Sequence, residues 1–297
     1  MTIAITTPTG NIGRKLVGQL LAEGDHDLRL LARSPEKLAE EQRLGAQVVP
    51  CDLSDMTQVV KGTEGVESLF WVNPPDMRSE DYEAHYVRLA RNAAEAITAN
   101  GISNVVLISS VGAHLGQGVG PVSALRQVEE IFSEVADNLT ILRPTFFMEN
   151  FLISAATISE HSHVFLPVKA ETRLSMVATE DIAEAAAEAL TKPVEGIRVE
   201  PLHGPKDYSF GEAAEIIGDA LGQEVRLVTI TPDQAIEALT SMGATRHVAE
   251  TMVELYSAID SGHFKDDHPR TEQTTTRTTL EDFCQRVLVP ALESKEH

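Results

Sequence analysis

The amino-acid sequence predicts an α/β fold: a doubly wound parallel sheet, with a smaller, mostly helical part in the second half of the chain. Short apolar runs alternate with helical patterns through the first 150 residues, which is the signature of βαβ units. The run 104–109 (NVVLIS) is almost continuously apolar, as expected of a strand buried on both faces of a parallel sheet. A glycine-containing turn at 7–13 (TPTGNIG) directly follows the first strand.

The elements of the first half follow in a regular order. Apolar runs predict strands at 3–6, 28–31, 47–50, 68–72, 104–109 and 139–142. Residues spaced for one helical face predict helices at 12–23, 35–41, 82–100 and 122–135, and Gly24 and Gly101 end two of them. Right-handed crossovers between such strands give a doubly wound sheet.

The pattern changes after about residue 150. Ser209 with Glu212 and Thr231 with Gln234 match the capping box, which marks two helix starts. Further helical patterns lie at 248–259 and 280–287. We therefore predict a larger domain over 1–150 and about 178–200, and a smaller cleft domain over 151–177 and 201–297.

Composition limits the classes of partner. The chain has 297 residues and a formal net charge of −21, which disfavours direct binding to nucleic acid or to an anionic membrane surface; solubility alone also explains this charge. The two cysteines, Cys51 and Cys284, form no CxxC motif, which suits a reducing compartment. With no signal-peptide pattern and no long apolar run, a cytoplasmic location is expected.

The turn at 7–13 predicts a dinucleotide site. Gly10 and Gly13 let the backbone turn tightly and approach a pyrophosphate, while the following helix offers free N–H groups to the anion. Thr7 replaces the first glycine of such a loop and gives up its conformational freedom. The predicted cofactor contacts in this loop are Thr7, Thr9, Gly10, Asn11, Ile12 and Gly13. The alternative is a tight strand-to-helix turn without a ligand.

The end of the second predicted strand indicates the type of dinucleotide. Arg33 and Ser34 stand where a carboxylate would bind the ribose of NAD, so we predict NADP(H) in preference to NAD(H). Arg33 can also be an ordinary surface residue. The other predicted cofactor contacts lie at the ends of later strands: Asp52, Leu53, Asn73, Pro74, Ser109 and Pro144. Asp52 can instead cap a helix at Ser54.

Several segments together resemble a known family. They are TPTGNIG, LARSPEKL, CDLSD, ILRPTFFMENF, SMVATEDIAEAAAEAL and HGPKDYSFGEAAEIIGDALGQEV. They are similar to the NmrA-like branch of the atypical short-chain dehydrogenases/reductases, over residue 2 to beyond residue 230. The tail 258–283 resembles the quinone-oxidoreductase and triphenylmethane-reductase members. The resemblance implies an NADP-binding Rossmann domain, a smaller C-terminal domain and a substrate cleft between them, in a family of both reductases and catalytically silent redox sensors.

One departure from the related enzymes bears on the chemistry. Typical short-chain dehydrogenases use a Tyr-x-x-x-Lys pair for proton transfer, and no tyrosine of this chain has a lysine four residues later. Many relatives place a lysine four residues before a glutamate, here Glu129, but this chain has Leu125. We therefore do not expect ordinary alcohol dehydrogenation. An electron-poor aromatic acceptor needs less help from a proton donor, so hydride transfer remains possible.

The predicted substrate residues also follow strand ends. They are Ser110, His114, Phe146, Phe147 and Met148. His114 is the candidate catalytic residue because an imidazole can protonate a product oxygen; it can equally be an ordinary loop histidine. The run 146–148 is expected to wall a flat aromatic substrate or to pack between domains. His161 and His163 alternate, but no third ligand is evident, so no metal is predicted.

Two functions remain open at this stage. The first is an NADPH-dependent reductase of quinone-like or other electron-poor aromatic acceptors, acting by direct hydride transfer. The second is a catalytically silent NADP(H) sensor that acts through a protein partner, which the missing Tyr-Lys pair and the acidic surface motivate. Oligomeric state stays open between monomer and homodimer.

Overall fold

The computed structural model describes residues 1–264 and 269–293 of the chain. Its strands, in chain order, are β1 (Thr2–Thr6), β2 (Asp27–Ala32), β3 (Gln47–Pro50), β4 (Ser68–Val72), β5 (Asn104–Ile108), β6 (Asn138–Pro144), β7 (Phe146–Phe147), β8 (His163–Leu166), β9 (Arg173–Val177), β10 (Gly196–Leu202), β11 (Asp207–Ser209) and β12 (Arg226–Thr229).

The α-helices follow the same order. They are α1 (Asn11–Glu23), α2 (Ala39–Arg43), α3 (Met56–Gly62), α4 (Tyr82–Asn100), α5 (Leu125–Val135), α6 (Ala155–His161), α7 (Thr179–Thr191), α8 (Phe210–Leu221), α9 (Pro232–Ser241), α10 (Arg246–Ser261), α11 (Leu280–Phe283) and α12 (Val289–Glu293). Short 3-10 turns lie at Pro35–Leu38, Ala113–Leu115, Gly120–Ala124 and Met148–Ser154, and a π turn at Cys284–Leu288 joins α11 to α12.

Seven parallel strands form the central sheet, in the order β3-β2-β1-β4-β5-β6-β10. The chain runs outward from β1 in one direction and then in the other, so the strand order reverses between β1 and β4. Such a reversal opens a crevice at the carboxyl ends of the strands, where ligands bind in sheets of this type. The predicted doubly wound α/β fold is confirmed.

Each face of the sheet carries its own hydrophobic core. Leu16 of α1 and Ile182 of α7 are fully buried on one face. Trp71, Leu89 of α4 and Phe132 of α5 lie in the core on the other face. Because apolar side chains cover both faces, the strands can be almost continuously apolar, which explains the NVVLIS run.

The second half of the chain builds a third core beside the sheet. Its small sheets have the orders β11-β9-β7 and β12-β8, and α8, α11 and residues before α6 supply apolar side chains to the core. The sequence pattern missed these strands because they are two to five residues long, too short for alternation to be detected. Strand β10 belongs to the large sheet, and helix α7 packs on one face of that sheet. The domain boundaries themselves stay a prediction.

Local signals in the second half fix helix starts. The capping boxes at Ser209 and Thr231 are formed in full, and α8 and α9 begin at the next residue. His161 and His163 flank Ser162, which has a left-handed φ of 59° and ends α6 before β8. The two histidines therefore belong to a helix-to-strand turn.

No helix among residues 1–264 and 269–293 has the length and apolarity to cross a bilayer.

Candidate cofactor and substrate site

Two adjoining cavities lie at the carboxyl edge of the central sheet. The polar cavity, of about 550 Å³, is bounded by the loop after β1, the ends of β2 to β4 and the start of α4. The apolar cavity, of about 330 Å³, is bounded by the ends of β4 and β5, the start of α4, residues around β7, and α10. Pro75 lines both cavities. The two cavities are therefore neighbours that meet at Pro75.

The loop after β1 is held by backbone contacts that require glycine. Thr7 has a φ of +48°, and its carbonyl accepts a hydrogen bond of 2.9 Å from the Gly10 N–H. A Cβ at Gly13 would lie 2.2 Å from the Thr7 carbonyl oxygen, so α1 can begin this close to the loop only with glycine there. Thr7 thus keeps the left-handed conformation of the glycine that it replaces, at a cost of roughly 1–2 kcal/mol.

The start of α1 is suited to an anion. The N-cap is Gly10, whose lack of a side chain leaves the helix end open, and the first turn has no acidic residue. The first helical hydrogen bond runs from Arg14 N–H to the Gly10 carbonyl, at 3.0 Å. The N–H groups of Asn11, Ile12 and Gly13 precede it and have no partner within the helix. Together with the helix dipole they form the kind of end that binds phosphate.

Three cationic side chains line the polar cavity. Arg33 and Ser34 follow β2 as the sequence predicted, and Lys37 lies on the next 3-10 turn. In the described part of the chain, the Arg33 and Lys37 side chains form no ion pair. Arg88 of α4 also lines the cavity and lies 3.2 Å from the His85 Nδ1. Sequence reasoning missed Lys37 and Arg88; the spacing of four residues between Arg33 and Lys37 was the available signal.

Asp52 and Leu53 both line the polar cavity after β3. The Asp52 Oδ1 accepts hydrogen bonds from the Ser54 N–H at 2.9 Å and from its hydroxyl at 2.8 Å. The Ser54 N–H holds the pKa of Asp52 below its ordinary value, and the charges of Arg33 and Arg88 act in the same direction. Asp52 does not cap a helix at Ser54, because α3 begins at Met56 and Asp55 is its cap.

Asn73 and Pro74 lie between the two cavities. Pro74 lines the polar one and Asn73 the apolar one. The Asn73 Oδ1 accepts a hydrogen bond of 2.6 Å from the Trp71 indole, and its Nδ2 donates to the Tyr86 carbonyl at 3.3 Å. The amide of Asn73 therefore ties the end of β4 to α4.

Ser109 lines the apolar cavity above a buried ion pair. Its hydroxyl donates to the Glu129 carboxylate, which also pairs with Arg143 through Nε at 2.9 Å and Nη2 at 2.7 Å. All three side chains are buried. Pro144 ends β6 and accepts a hydrogen bond from the Val111 N–H at 3.1 Å, but it is outside the described lining of both cavities. The structure therefore does not bring Pro144 to the predicted cofactor contacts.

The aromatic wall of the apolar cavity is formed by two of the three residues predicted for it. Phe146 and Phe147 line the cavity, and the Phe146 ring meets Phe210 edge-on at 5.4 Å between centroids. Met148 is fully buried in the third core and is outside the described lining of the cavity, so the structure does not bring it to the predicted substrate wall. Ser110 lines the cavity and donates its hydroxyl to the Val111 carbonyl at 2.9 Å.

His114 is not among the residues that line either cavity in the described chain. It lies in the 3-10 turn Ala113–Leu115, between Gly112 and Gly116, whose φ values of 86° and 70° turn the backbone sharply. These turns move the histidine off the edge where β5 ends. The structure therefore does not bring His114 into the described lining of the apolar cavity, and its catalytic role stays a prediction.

Two tyrosines of α4 complete the apolar cavity. Tyr82 and Tyr86 line it, and the Tyr82 hydroxyl donates to the Tyr86 hydroxyl at 2.7 Å. Leu125 also lines it, at the position where many relatives have lysine. Apart from the two phenols, no titratable side chain is among the described residues of this lining. The sequence showed the helical spacing of the tyrosines but not that this face of α4 meets the cavity.

The described residues contain no group of three or more histidine, cysteine, aspartate or glutamate side chains arranged to hold a metal ion. The His161 ring lies 3.7 Å from Glu160, and the His163 ring packs at 5.7 Å from Phe165.

Comparison with known proteins gives the following similarities. Residues 8–193 match the NAD(P)H-binding protein family. An NAD(P)H azoreductase from Xenophilus azovorans is 31% identical over 255 residues, which cover 86% of each chain. Escherichia coli NADPH-dependent quinone oxidoreductase, solved with NADPH, has a TM-score of 0.79 at 22% identity and covers 96% of this chain and 99% of its own. Citrobacter sp. triphenylmethane reductase, solved with NADP(H), has a TM-score of 0.79 at 19% identity, with the same coverage.

Proposed function

Since the chain belongs to the NAD(P)H-binding family, in the NmrA-like branch that its sequence predicted, we propose that it is an NADPH-dependent reductase of quinone-like and other electron-poor aromatic acceptors. Its class, an NAD(P)H-dependent oxidoreductase, follows from the family and from the azoreductase relative. The preference for NADPH, the direct hydride transfer and the type of acceptor are the parts that we propose.

The main support for the proposal is that the polar and the apolar cavity lie next to each other and share Pro75. The polar cavity offers a glycine loop, an open helix end and cations, which suit the phosphates of a dinucleotide. The apolar cavity begins at Pro75 and is walled by aromatic and aliphatic side chains, which suit a flat, weakly polar molecule. This arrangement would bring a dinucleotide and an aromatic acceptor to a common boundary.

The residues of the polar cavity fit a dinucleotide. The close approach of Gly13 to the Thr7 carbonyl leaves no room for a Cβ, and the Gly10 N-cap leaves the helix end free of a side chain. We propose that the N–H groups at the start of α1 bind the pyrophosphate. Arg33, Ser34 and Lys37 would bind the ribose 2′-phosphate, because the two cations lie together at the polar cavity and the Arg33 side chain is exposed.

When bound, a reduced nicotinamide supplies a hydride, which transfers two electrons and one proton together in a single step. The part of this chain would be to bind, to orient and to exclude water. Phe146 and Phe147 offer flat faces to an aromatic acceptor, and Leu125 keeps a charge out of the cavity. Because no described residue of this lining is ionised at neutral pH, an uncharged acceptor is favoured over one that carries sulfonate groups.

The names of the similar proteins agree with this type of acceptor. They are an azoreductase, a quinone oxidoreductase and a triphenylmethane reductase. All three act on conjugated, electron-poor molecules, which accept a hydride without prior protonation more readily than a simple ketone does. The sensor hypothesis gains no specific support from the described residues.

Steady-state kinetics test the proposal. The loss of NADPH absorbance is followed with para-benzoquinone, a larger naphthoquinone and an uncharged azo dye, against enzyme-free blanks. We expect turnover on at least one acceptor and a higher kcat/KM with NADPH than with NADH. No turnover above the blank on any acceptor would contradict the proposed function.

The same assay tests the cofactor preference. Arg33→Ala should lower kcat/KM with NADPH by roughly tenfold and leave the value with NADH nearly unchanged, since one charge-assisted contact is worth about 1.5 kcal/mol. The matched control is Arg43→Ala, an exposed α2 residue that pairs with Glu40 away from both cavities. If Arg33→Ala lowers kcat/KM equally with NADPH and NADH, the proposed role of Arg33 in binding the 2′-phosphate is contradicted.

A further inference from the structure

Tyr82 and Tyr86 form a hydroxyl pair in the wall of the apolar cavity. They are four residues apart on α4, so their side chains lie on one face of the helix. Their ring centroids are 4.6 Å apart, and the residues are 3% and 8% exposed. Neither takes part in a Tyr-x-x-x-Lys arrangement, because Ala90 is four residues after Tyr86.

The hydrogen bond between them leaves one donor without an acceptor. Tyr82 donates its proton to the Tyr86 oxygen at 2.7 Å. A phenol has one O–H, so the proton of Tyr86 must go to another acceptor. Tyr86 makes no such bond with the described residues. A buried donor without a partner is unfavourable, and an acceptor bound in the cavity would remove that penalty.

The other polar groups of the cavity wall are largely committed to the protein. Ser109 donates to Glu129, Ser110 to the Val111 carbonyl, and the Asn73 amide to the Tyr86 carbonyl. Asn73 keeps one amide N–H, and the partly buried Asn150 is a second competing amide in the described lining. Among the hydroxyls of that lining, Tyr86 is the buried donor that remains for a ligand.

Burial keeps both phenols in their protonated form. It raises the pKa of Tyr86 to about 12 and also raises the pKa of Tyr82, with the neighbouring Tyr86 acting in the same direction. A phenol with so high a pKa does not readily give up its proton to a hydroquinone anion. It can instead donate a hydrogen bond throughout the neutral and mildly alkaline range.

We propose that Tyr86, oriented by Tyr82, donates a hydrogen bond to the carbonyl oxygen of the acceptor and thereby makes the site selective for quinones over hydride acceptors without oxygen. This inference rests on the proposed function and adds a catalytic residue and a substrate class to it. Tyr82 acts on the acceptor through Tyr86 and is a positioning residue.

The electron balance explains the selectivity. A quinone that gains a hydride is reduced by two electrons to a hydroquinone monoanion, while NADPH is oxidised to NADP⁺. The negative charge develops on oxygen, where a fixed O–H donor stabilises the transition state. Tyr86 keeps its proton, and water supplies the second proton of the hydroquinone. An N-methylacridinium cation becomes neutral on gaining a hydride, so no anion develops and the donor gives no advantage.

The test compares two acceptors in matched variants. Tyr86→Phe should lower kcat/KM for para-benzoquinone by roughly 10- to 100-fold, in the range found for the loss of one oxyanion donor, and should leave N-methylacridinium reduction unchanged. Tyr82→Phe should give a smaller loss in the same direction. Tyr256→Phe is the control, because Tyr256 packs against the third core and outside the described lining of the cavity. Thermal unfolding and an NADPH titration of each variant check that the fold and cofactor binding are intact.

A binding measurement keeps the inference separate from turnover. With NADP⁺ present, the phenolate form of para-nitrophenol resembles the anionic product, and its visible absorbance reports its ionisation. Wild type should bind the phenolate roughly tenfold more tightly than Tyr86→Phe, about 1.4 kcal/mol. Equal affinities, or no binding to wild type, would overturn the inference.

The remaining outcomes are also decisive. A selective loss of quinone reduction in Asn150→Ala but not in Tyr86→Phe would assign the donor to Asn150 and overturn the proposal. An equal loss on both acceptors in Tyr86→Phe would indicate a packing role and do the same. If wild type reduces no acceptor, the proposed function fails, and the phenolate affinity still decides whether Tyr86 is an oxygen-binding donor.

Discussion

Thr7 shows how a single residue can occupy a glycine position. Its φ of +48° is left-handed, a region that costs a β-branched residue roughly 1–2 kcal/mol. The carbonyl that this conformation presents accepts the Gly10 N–H and lies close to Gly13. Backbone strain of this kind persists where the surrounding structure fixes it, which is common at ligand sites. The first glycine is thus dispensable in this loop.

Gly13 is not dispensable, and this gives a prediction at the scale of a residue. In Gly13→Ala the new Cβ would lie 2.2 Å from the Thr7 carbonyl oxygen, so the start of α1 must move away from the loop. We expect NADPH affinity to fall by roughly tenfold or more and the free energy of unfolding to fall by about 1–3 kcal/mol. Fluorescence titration and urea unfolding measure the two effects.

Gly18 provides the control for that variant. It lies on the same helix, and a Cβ there would meet nothing within 4 Å. Gly18→Ala should therefore raise the free energy of unfolding by about 0.5–1 kcal/mol and leave NADPH affinity unchanged. If Gly13→Ala behaves like Gly18→Ala, the loop does not bind the cofactor as proposed.

At the scale of elements, a buried ion pair joins α5 to β6 beneath the apolar cavity. The Glu129 carboxylate accepts from Ser109 and from both Nε and Nη2 of Arg143. Lys15 and Glu149 form a second link, at 2.7 Å, between α1 and the segment after β7. Links of this kind set the positions of elements that form the cavity walls, although the sequence pattern of each element gives no sign of them.

Removing one partner of the α5–β6 pair should be costly. Glu129→Ala leaves the buried Arg143 without its carboxylate, which typically costs about 3–5 kcal/mol. Its neighbour Glu130 pairs with Arg126 in an exposed position, so Glu130→Ala should cost less than about 1 kcal/mol. Urea unfolding of the two variants makes the comparison. Similar losses in both would show that the buried pair does not stabilise the fold.

At the scale of the whole molecule, charge is distributed unevenly. The chain carries −21 overall, yet at the polar cavity three cations, Arg33, Lys37 and Arg88, outnumber the two carboxylates of Asp52 and Asp76. The general surface therefore repels anions while the cavity attracts them. The net charge alone could not reveal this, because it sums over positions that only folding brings together.

Burial of phenols and thiols gives a prediction for alkaline pH. It raises the pKa of Cys51 to about 11 and those of Tyr86, Tyr256 and Cys284 to about 12. A raised pKa stabilises the fold below the unfolded value and loses this contribution as pH rises towards the folded value. The free energy of unfolding should therefore fall above about pH 9, where unfolded thiols ionise, and more steeply above about pH 10.

Urea unfolding across this pH range measures the effect. For Tyr86 the shift from 10.0 to about 12 corresponds to about 3 kcal/mol, lost as the pH approaches 12. Tyr86→Phe should show a correspondingly shallower fall. A free energy of unfolding that stays constant to about pH 11 would contradict the prediction.

The sequence by itself determined the fold class, the family, the glycine loop and most strand ends that line the cavities. These features depend on local spacing: apolar periodicity fixes which face of an element is buried, and parallel strands bring their carboxyl ends to one edge. Gly10, Gly13, Arg33 and Asp52 belong to such short patterns. The residues predicted at strand ends therefore lie close to the cavities, with Pro144, His114 and Met148 as exceptions.

Only the tertiary structure decided which side chains meet in each cavity. His114 and Met148 follow strands as Phe146 does, but glycine turns carry one away and the third core takes up the other. Tyr82 and Tyr86 are far in sequence from most other walls of the apolar cavity, and they meet these walls because of how α4 packs beside α5 and α10. Contacts between residues distant in the chain depend on the packing angles and heights of whole elements, which local patterns do not encode.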